Sequence, residues 1–553
     1  MLRALVAASL LLLVSGDRYH PDTPRPVPPR GQPLASAQPT PAPEELTAKF
    51  WYDEARAAIE KKINTLGFPA HGGKARNVVL FMGDGMSVPT LAAARTLLGQ
   101  RRNQPGEEAQ LSFEKFPTLG LTKTYCVNAQ TADSACTASA YLCGVKVNQG
   151  TLGVTAAVPR SNCLASRDNS TNLQSIAAWA LADGRDAGIV TTTRITHASP
   201  AGAFAVAANR NWENDAQVRD DQQDPNVCPD IAQQLIKSYP GNQFKVILGG
   251  GRREFRPTTA TDEEGTRGRR TDGRDLIQEW LADKTAAGAS RQYIWNRDQL
   301  LQANASLPDY LLGLFEAGHL QYNLQMNNVT EPTLAELTEV AIRSLRRNDN
   351  GFFLFVEGGR IDHAHHDNMA ELALDETIEF SKAVERATEL LDEEDSLIVV
   401  TSDHAHVMSY NGYSPRGRDV LGPSNSRDRH GAPYMTLSYT NGPGFRPHVG
   451  GVRPDVTTEA HFGSEEWRAH VDVPLDSETH GADDVAVFAR GPHHALFTGL
   501  FEQSGVPHRM AYAACFGPGL HACSASSAAP TAPAARALAP AVSLLLAVLL
   551  SLR

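Results

Sequence analysis

Carboxylates and imidazoles recur in this chain directly after short apolar runs, and such hard oxygen and nitrogen donors suit zinc and magnesium. The run Asn77 to Met82 leads into Gly83-Asp84-Gly85, where the glycines allow a tight turn and leave Asp84 at the tip. Alone, an aspartate there commonly bonds nearby backbone N–H groups. Phe352 to Val356 leads into Glu357 and then Asp362-His363-Ala364-His365-His366. Asp362 and His366 are spaced i, i+4, so on a helical turn they face one way and can share a metal. His363 and His365 read as supporting or surface residues. Leu397 to Thr401 ends in Ser402-Asp403-His404-Ala405-His406. An adjacent Asp and His at a strand end can bind a metal from one edge, or merely cap a helix. His480 stands alone before the strand-like Asp484 to Phe488, a position more often structural. Asp133-Ser134-Ala135 opens a small-residue stretch suited to a helix N-terminus, which favours anions. Ser134 reads either as an N-cap or as a nucleophile ionised by a nearby zinc. No G-x-S-x-G elbow surrounds it, which disfavours a Ser-His-Asp hydrolase. Thr191 to Arg194 leads into His197-Ala198-Ser199-Pro200, with Arg210 downstream. Arg210 can hold two phosphate oxygens in a fork or form a surface ion pair.

These clusters need a scaffold that brings strand ends together. The apolar runs, together with Gly188 to Thr192 and Lys245 to Leu248, alternate with helical patterns such as Met369 to Leu391. That alternation predicts an α/β domain with a central, largely parallel sheet flanked by helices. Ligands of such sheets bind beyond the carboxyl ends of the strands, where the polar clusters fall. Phe50, Trp51 and Ala55 to Ile59 predict an amphipathic first helix. Residues 409 to about 478 are rich in Gly, Pro, Arg and Ser, with β-like stretches such as Tyr434 to Tyr439, and read as an inserted subdomain.

The chain has 553 residues and a formal net charge of -11, which argues against a nucleic-acid scaffold role. Arg3, the apolar run Ala4 to Val14, and Ser15-Gly16 read as a signal peptide over 1–16; the run is too short to span a bilayer. The Pro-rich segment 17–43 has the composition of a disordered lead-in. Folded sequence is expected over 44–523. Residues 524–553 combine small residues, a Pro/Ala spacer and the apolar tail Leu538 to Leu552, the pattern of a GPI-anchor signal; a short transmembrane tail is the alternative. Sequons begin at Asn169, Asn304 and Asn328. Seven cysteines, an odd number and without a C-x-x-C pair, fit a secreted protein without a zinc knuckle.

In its ordered motifs the chain resembles the animal alkaline phosphatases from about Glu44 onward. The matching stretches include GDGM at 83–86, TADSA at 131–135, YLCGVK at 141–146, TTTRITHASPAG at 191–202 and NRNW at 209–212. FFLFVEGGRIDHAHH at 352–366, SDHAHV at 402–407 and ETH at 478–480 continue the series. The resemblance implies hydrolysis of phosphate monoesters at alkaline pH through a phosphoserine at Ser134, on the outer face of the cell membrane. It implies one zinc on Asp362, His366 and His480, and a second on Asp84, Asp403, His404 and Ser134. Magnesium would lie on Asp84, Ser199 and Glu357, with Arg210 clamping phosphate and Asp133, His197 and His363 nearby. A calcium-type site would use the Phe315 carbonyl, Glu316, Glu331 and Glu264 or Glu263. The resemblance also implies a homodimer crossed by an N-terminal arm, a crown in the 409–478 region, disulfides Cys163–Cys228 and Cys515–Cys523, and a free Cys143. Ser87, Glu331, Cys126 and Cys136 depart from the family pattern, and spacing leaves open whether the last two pair. Two rival readings are a phosphodiesterase or sulfatase with the same metal geometry, and an inactive surface protein that binds partners through the crown.

Overall fold

A computed structural model describes residues 41–66 and 73–521. The expected signal peptide, the lead-in up to residue 40, Cys523 and the expected anchor signal lie outside the described residues. Among the described residues no helix is long and apolar enough to cross a membrane.

Ten strands form one sheet: β1 (Asn77–Gly83), β2 (Thr118–Lys123), β3 (Asp186–Arg194), β4 (Val246–Gly250), β5 (Arg291–Ile294), β6 (Tyr310–Leu314), β7 (Phe352–Gly358), β8 (Ser396–Thr401), β9 (Val485–Arg490) and β10 (Gly499–Glu502). Their order across the sheet is β10-β2-β9-β8-β1-β7-β3-β4-β6-β5. Only β9 runs against its neighbours, β8 and β2. The central strands β1, β7 and β8 are buried along their whole length, and β-branched, aromatic and aliphatic residues fill both faces.

Register positions the chemistry. Met82 on β1 lies opposite Glu357 on β7 and Thr401 on β8, and Glu357 lies opposite Thr191 on β3. Asp84, Glu357 and Asp403 therefore leave the sheet at one carboxyl edge.

Helices cover both faces. The first, α1 (Ala48–Leu66), buries Trp51, Ala55 and Ile59, as the apolar spacing predicts, and packs on the helix Gly505–Ala514. Next come α2 (Val88–Gln100), α3 (Ser134–Cys143), α4 (Leu334–Leu345), α5 (Arg360–His366) and α6 (Ala370–Leu390). The long α6 packs between α2 and α4 and buries its own apolar stripe. Ser87, the departure after GDGM, caps α2: its Oγ accepts from the Thr90 N–H at 3.2 Å.

Between β8 and β9 the chain leaves the main sheet. Met408–Tyr410, Leu437–Gly442 and Val471–Pro474 form a three-stranded sheet, and Pro423–Arg427 pairs with Pro433–Met435. Cys163 and Cys228 form a disulfide, as do Cys126 and Cys136, and Cys143 is a buried free thiol. Cys515 is also disulfide-bonded. Asn169 and Asn328 are exposed, whereas Asn304 is half-buried in the helix Arg297–Ala305.

Candidate active site

Three strand ends supply the carboxylates. Asp84 follows β1 and is fully buried. The next residue, Gly85, has φ +66°, and a Cβ there would sit 2.3 Å from His406 Nε2, so glycine is required both by conformation and by space. The Gly85 N–H donates to Asp403 Oδ1 at 2.9 Å, joining the ends of β1 and β8. Glu357 is the penultimate residue of β7, where its Oε2 accepts from the hydroxyls of Thr191 and Thr193 on β3. One turn later α5 presents Asp362 and His366 on one face.

The imidazoles around Asp362 are oriented by carbonyls. His366 Nδ1 donates to the Glu478 carbonyl at 2.6 Å, and His480 Nδ1 donates to the Ala132 carbonyl at 2.7 Å. With those protons committed, the two Nε2 atoms point lone pairs at each other, 3.1 Å apart and 3.3–3.4 Å from Asp362. Lone pairs facing at that distance call for a cation. His404 Nε2 lies 3.2 Å from Ser134 Oγ, 3.1 Å from Asp403 Oδ2 and 3.6 Å from Asp84 Oδ1. Ser199 Oγ donates to Asp84 Oδ2 at 3.3 Å. Asp84 Oδ1, Glu357 Oε1 and Asp362 Oδ2 are buried with no hydrogen-bond partner. Burial, and then the neighbouring Asp403, Asp362 and Glu357, pushes the Asp84 carboxyl well above the usual range. Burial also holds His366 well below the ordinary imidazole value. A polyanionic pocket in which imidazole nitrogens converge on orphaned carboxylate oxygens fits divalent metals.

Ser134 opens α3. Asp133, its N-cap, accepts from the Ala135 and Cys136 N–H groups and from the Gly150 N–H. The other side of the same carboxylate takes Arg210 Nη1 at 3.0 Å. Burial raises the Asp133 carboxyl, but Arg210 and the Gly150 N–H outweigh it and hold the group below its ordinary value. Arg210 Nη2 lies 3.4 Å from His197 Nε2.

A family model for alkaline phosphatase matches residues 75–516. The chain belongs to the alkaline phosphatase family. It is an enzyme of that family, and membership carries hydrolysis of phosphate monoesters and a requirement for divalent metal ions. A membrane-bound alkaline phosphatase of Bombyx mori is 64% identical over 546 residues, covering 98% of this chain and 96% of the relative. The tissue-nonspecific isozyme of Homo sapiens is 45% identical, covering 88% of this chain and 92% of its own. The crystal structure of Thermus thermophilus alkaline phosphatase superposes with a TM-score of 0.57 at 24% identity, covering 82% of this chain and 96% of that one. Together with the parallel sheet and its flanking helices, this places the fold among the alkaline phosphatases.

Several residues at this site carry no role in the sequence reading. His406 bridges Asp362 Oδ1 at 2.7 Å and Glu478 Oε2 at 2.5 Å. Burial acts to lower its pKa, but Glu478 and Asp362 win and raise it to about 10. The signal was the i, i+2 spacing of His404 and His406 on a short extended segment, which pairs with His480–Gly481. Glu478, Thr191 and Thr193 carry no local signal of this kind. His319 joins His197 and His363 in a histidine cluster beside the site.

The residues expected for calcium are arranged differently. Arg252, fully buried, donates to Glu264, to Glu263 Oε2 at 3.2 Å and to the Phe315 carbonyl at 3.4 Å. An arginine thus supplies positive charge to that end of the set. At the other end Glu316 lies beside Glu331, whose carboxyl burial and then Glu316 push up to about 9. Glu331 Oε2 is buried without a hydrogen-bond partner.

Proposed function

We propose that this alkaline phosphatase hydrolyses phosphate monoesters through a covalent phosphoserine at Ser134, using two zinc ions and one magnesium ion. The observation that carries the reading is the convergence of Ser134 Oγ, His404, Asp84 and Asp403 beside the facing Nε2 atoms of His366 and His480. Asp362, His366 and His480 would hold the first zinc; Asp84, Asp403, His404 and Ser134 the second; Asp84, Ser199 and Glu357 the magnesium. When bound, the ions supply positive charge to the loose, highly charged transition state and acidify the hydroxyl they touch.

The protein groups divide the remaining work. Arg210 forks two nonbridging phosphate oxygens and turns phosphorus toward Ser134, while Asp133 fixes the guanidinium plane. Ser134 Oγ attacks in line, the alcohol leaves on the opposite side, and the positive end of the α3 dipole faces the new phosphoserine. Water then attacks from the vacated side; two inversions give retention at phosphorus. Thr191 and Thr193 hold Glu357, and the Glu478 and Ala132 carbonyls hold the tautomers of His366 and His480. At the calcium-type position the unpartnered Glu331 oxygen beside Glu316 fits a hard cation, with Glu264 and the Phe315 carbonyl bonded to Arg252.

We place the enzyme on the outer face of the cell membrane as a GPI-anchored, glycosylated homodimer. The small-residue, spacer and apolar-tail pattern at 524–553 and the membrane-bound Bombyx mori relative support the membrane anchoring, the exposed sequons at Asn169 and Asn328 the glycosylation, and the family resemblance the dimer.

The test is turnover of a chromogenic monoester at alkaline pH, with a diester alongside. Chelation should abolish monoester turnover, and zinc plus magnesium should restore it. Ser134→Ala should lower kcat by about three orders of magnitude or more and remove acid-stable phosphoenzyme. Diester turnover above monoester would overturn the substrate class, and retained phosphoenzyme in Ser134→Ala would overturn the nucleophile. Phosphatidylinositol-specific phospholipase C should release activity from intact cells if the anchor is GPI.

A further inference from the structure

The Cys126–Cys136 disulfide closes a covalent ring around the proposed nucleophile. Its sequence separation is 10, and Ala132, Asp133 and Ser134 all lie inside it. Each makes a contact at the site. The Ala132 carbonyl fixes His480 at 2.7 Å, Asp133 holds Arg210 at 3.0 Å, and Ser134 faces His404 at 3.2 Å. Both cysteines are buried, and they touch Asp133 directly: Cys126 Sγ is 4.0 Å from Oδ1, and Cys136 Sγ is 3.4 Å from the Asp133 carbonyl. The Cys136 N–H also donates to Asp133 Oδ1 at 3.2 Å.

The disulfide joins two unlike pieces of chain. Cys126 sits in a tight turn after β2, closed by its N–H on the Ala129 carbonyl at 3.0 Å; Cys136 is the third residue of α3. Residues 127–133 belong to no helix or strand, and their backbone ties are the turn at Cys126–Ala129 and the Val127 N–H on the Val147 carbonyl at 3.0 Å. The bond ties its two ends together, and the Cys126 sulfur packs on the Oδ1 side of the buried Asp133 carboxylate, where the Cys136 and Gly150 N–H groups donate, while Arg210 binds Oδ2. A carboxylate shielded in this way interacts more strongly with its guanidinium partner.

The geometry points to a positioning role: we infer that the Cys126–Cys136 disulfide sets the placement of Asp133, and through it the phosphate grip of Arg210. The inference rests on the reading of Arg210 as the phosphate clamp. Its signature is weaker affinity for phosphate with kcat less affected, because the disulfide acts through the arginine and not on the reacting oxygen.

The test uses full-length, metal-loaded enzyme carrying Cys126→Ala/Cys136→Ala, with Arg210→Ala alone and combined with it. The readouts are kcat, KM for a chromogenic monoester, Ki for inorganic phosphate, and Tm. Removing the disulfide should raise KM and Ki together by about three- to tenfold, and should add almost nothing in the Arg210→Ala background. A lower Tm with KM and Ki unchanged, or equal effects in both backgrounds, would show a purely structural staple and overturn the inference. If Arg210→Ala itself leaves Ki unchanged, the clamp reading fails and this inference with it. If Arg210→Ala raises Ki and the cysteine variant does not, only this inference fails. Should the cysteine variant not fold, wild-type enzyme is reduced with a phosphine, which becomes the phosphine oxide as water supplies oxygen and two protons. Ki must then rise in step with alkylation of Cys126 and Cys136; a constant Ki while both are alkylated overturns the inference.

Discussion

At the scale of single residues, the proposed ligands are held by partners that the chain brings from far away. His406 is the clearest case, a ring clamped between Asp362 and Glu478 at 2.7 and 2.5 Å. It keeps the Asp362 carboxylate aimed. His406→Ala should lower zinc affinity by about 10- to 100-fold, with activity recovering as zinc is raised. Zinc titration followed by turnover checks this, and an unchanged titration midpoint would remove His406 from the support of the site. Asp84, Glu357, Asp403 and His404 were legible because they stand at the ends of apolar runs, and Asp362 and His366 because their i, i+4 spacing puts them on one helical face. His406 and Glu478 stand in the same motifs, but their role rests on contacts between residues 44 and 72 positions apart in sequence. Ser134 and Arg210 each had an ordinary local explanation, and resemblance, not spacing, singled them out.

At the scale of elements, β1, β3, β4, β7 and β8 were readable as continuous apolar runs, because strands buried on both faces tolerate little else. The outer strands were not. Second from one edge, β2 alternates buried and exposed residues around Gly120, and the edge strand β5 is exposed or half-buried at three of its four positions, so neither leaves a continuous apolar run. That β9 runs antiparallel cannot be read from its residues, because pairing direction is a property of the neighbours. The start of α2 shows a local device with wider reach. Ser87 caps the helix, Thr90 meets His365 Nε2 at 3.0 Å, and His365 Nδ1 meets the Tyr439 hydroxyl at 2.8 Å. The cap therefore leads, side chain by side chain, into the small sheet that follows β8. Ser87→Ala should cost about 0.5–2 kcal/mol of stability with kcat and KM close to wild type. Thermal denaturation of metal-loaded protein is the measurement, and a Tm equal to wild type would show that the cap is dispensable.

At the scale of the whole molecule, alkaline conditions carry a stability cost that can be located. Glu376 on α6 is buried, and burial pushes its carboxyl up to about 8, although the Asn323 N–H at 2.6 Å favours the ionised form. An unfolded chain loses this proton near the ordinary value of 4.5, so between 4.5 and about 8 the folded state binds more protons. Stability from this group is complete below 4.5, falls as pH rises through that window, and is flat above it. Glu376→Gln keeps the acceptor and removes the titration. Relative to wild type it should gain on the order of a few kcal/mol between pH 5 and pH 9. Urea denaturation across that range checks the slope, and parallel pH curves for the two proteins would refute the assignment.

The strand order also has a consequence for how the enzyme is made. The two central strands that flank β1 in the sheet, β7 and β8, come from the distant second half of the chain. His480 reaches Asp362 only once the segment leading into β9 is in place. The first and last proposed zinc ligands are separated by about 400 residues, so no ribosome-bound fragment short of the end can offer a finished pocket. Metal capture is thereby deferred until synthesis is nearly over, and a prematurely terminated product would leave the ribosome unable to retain its ions.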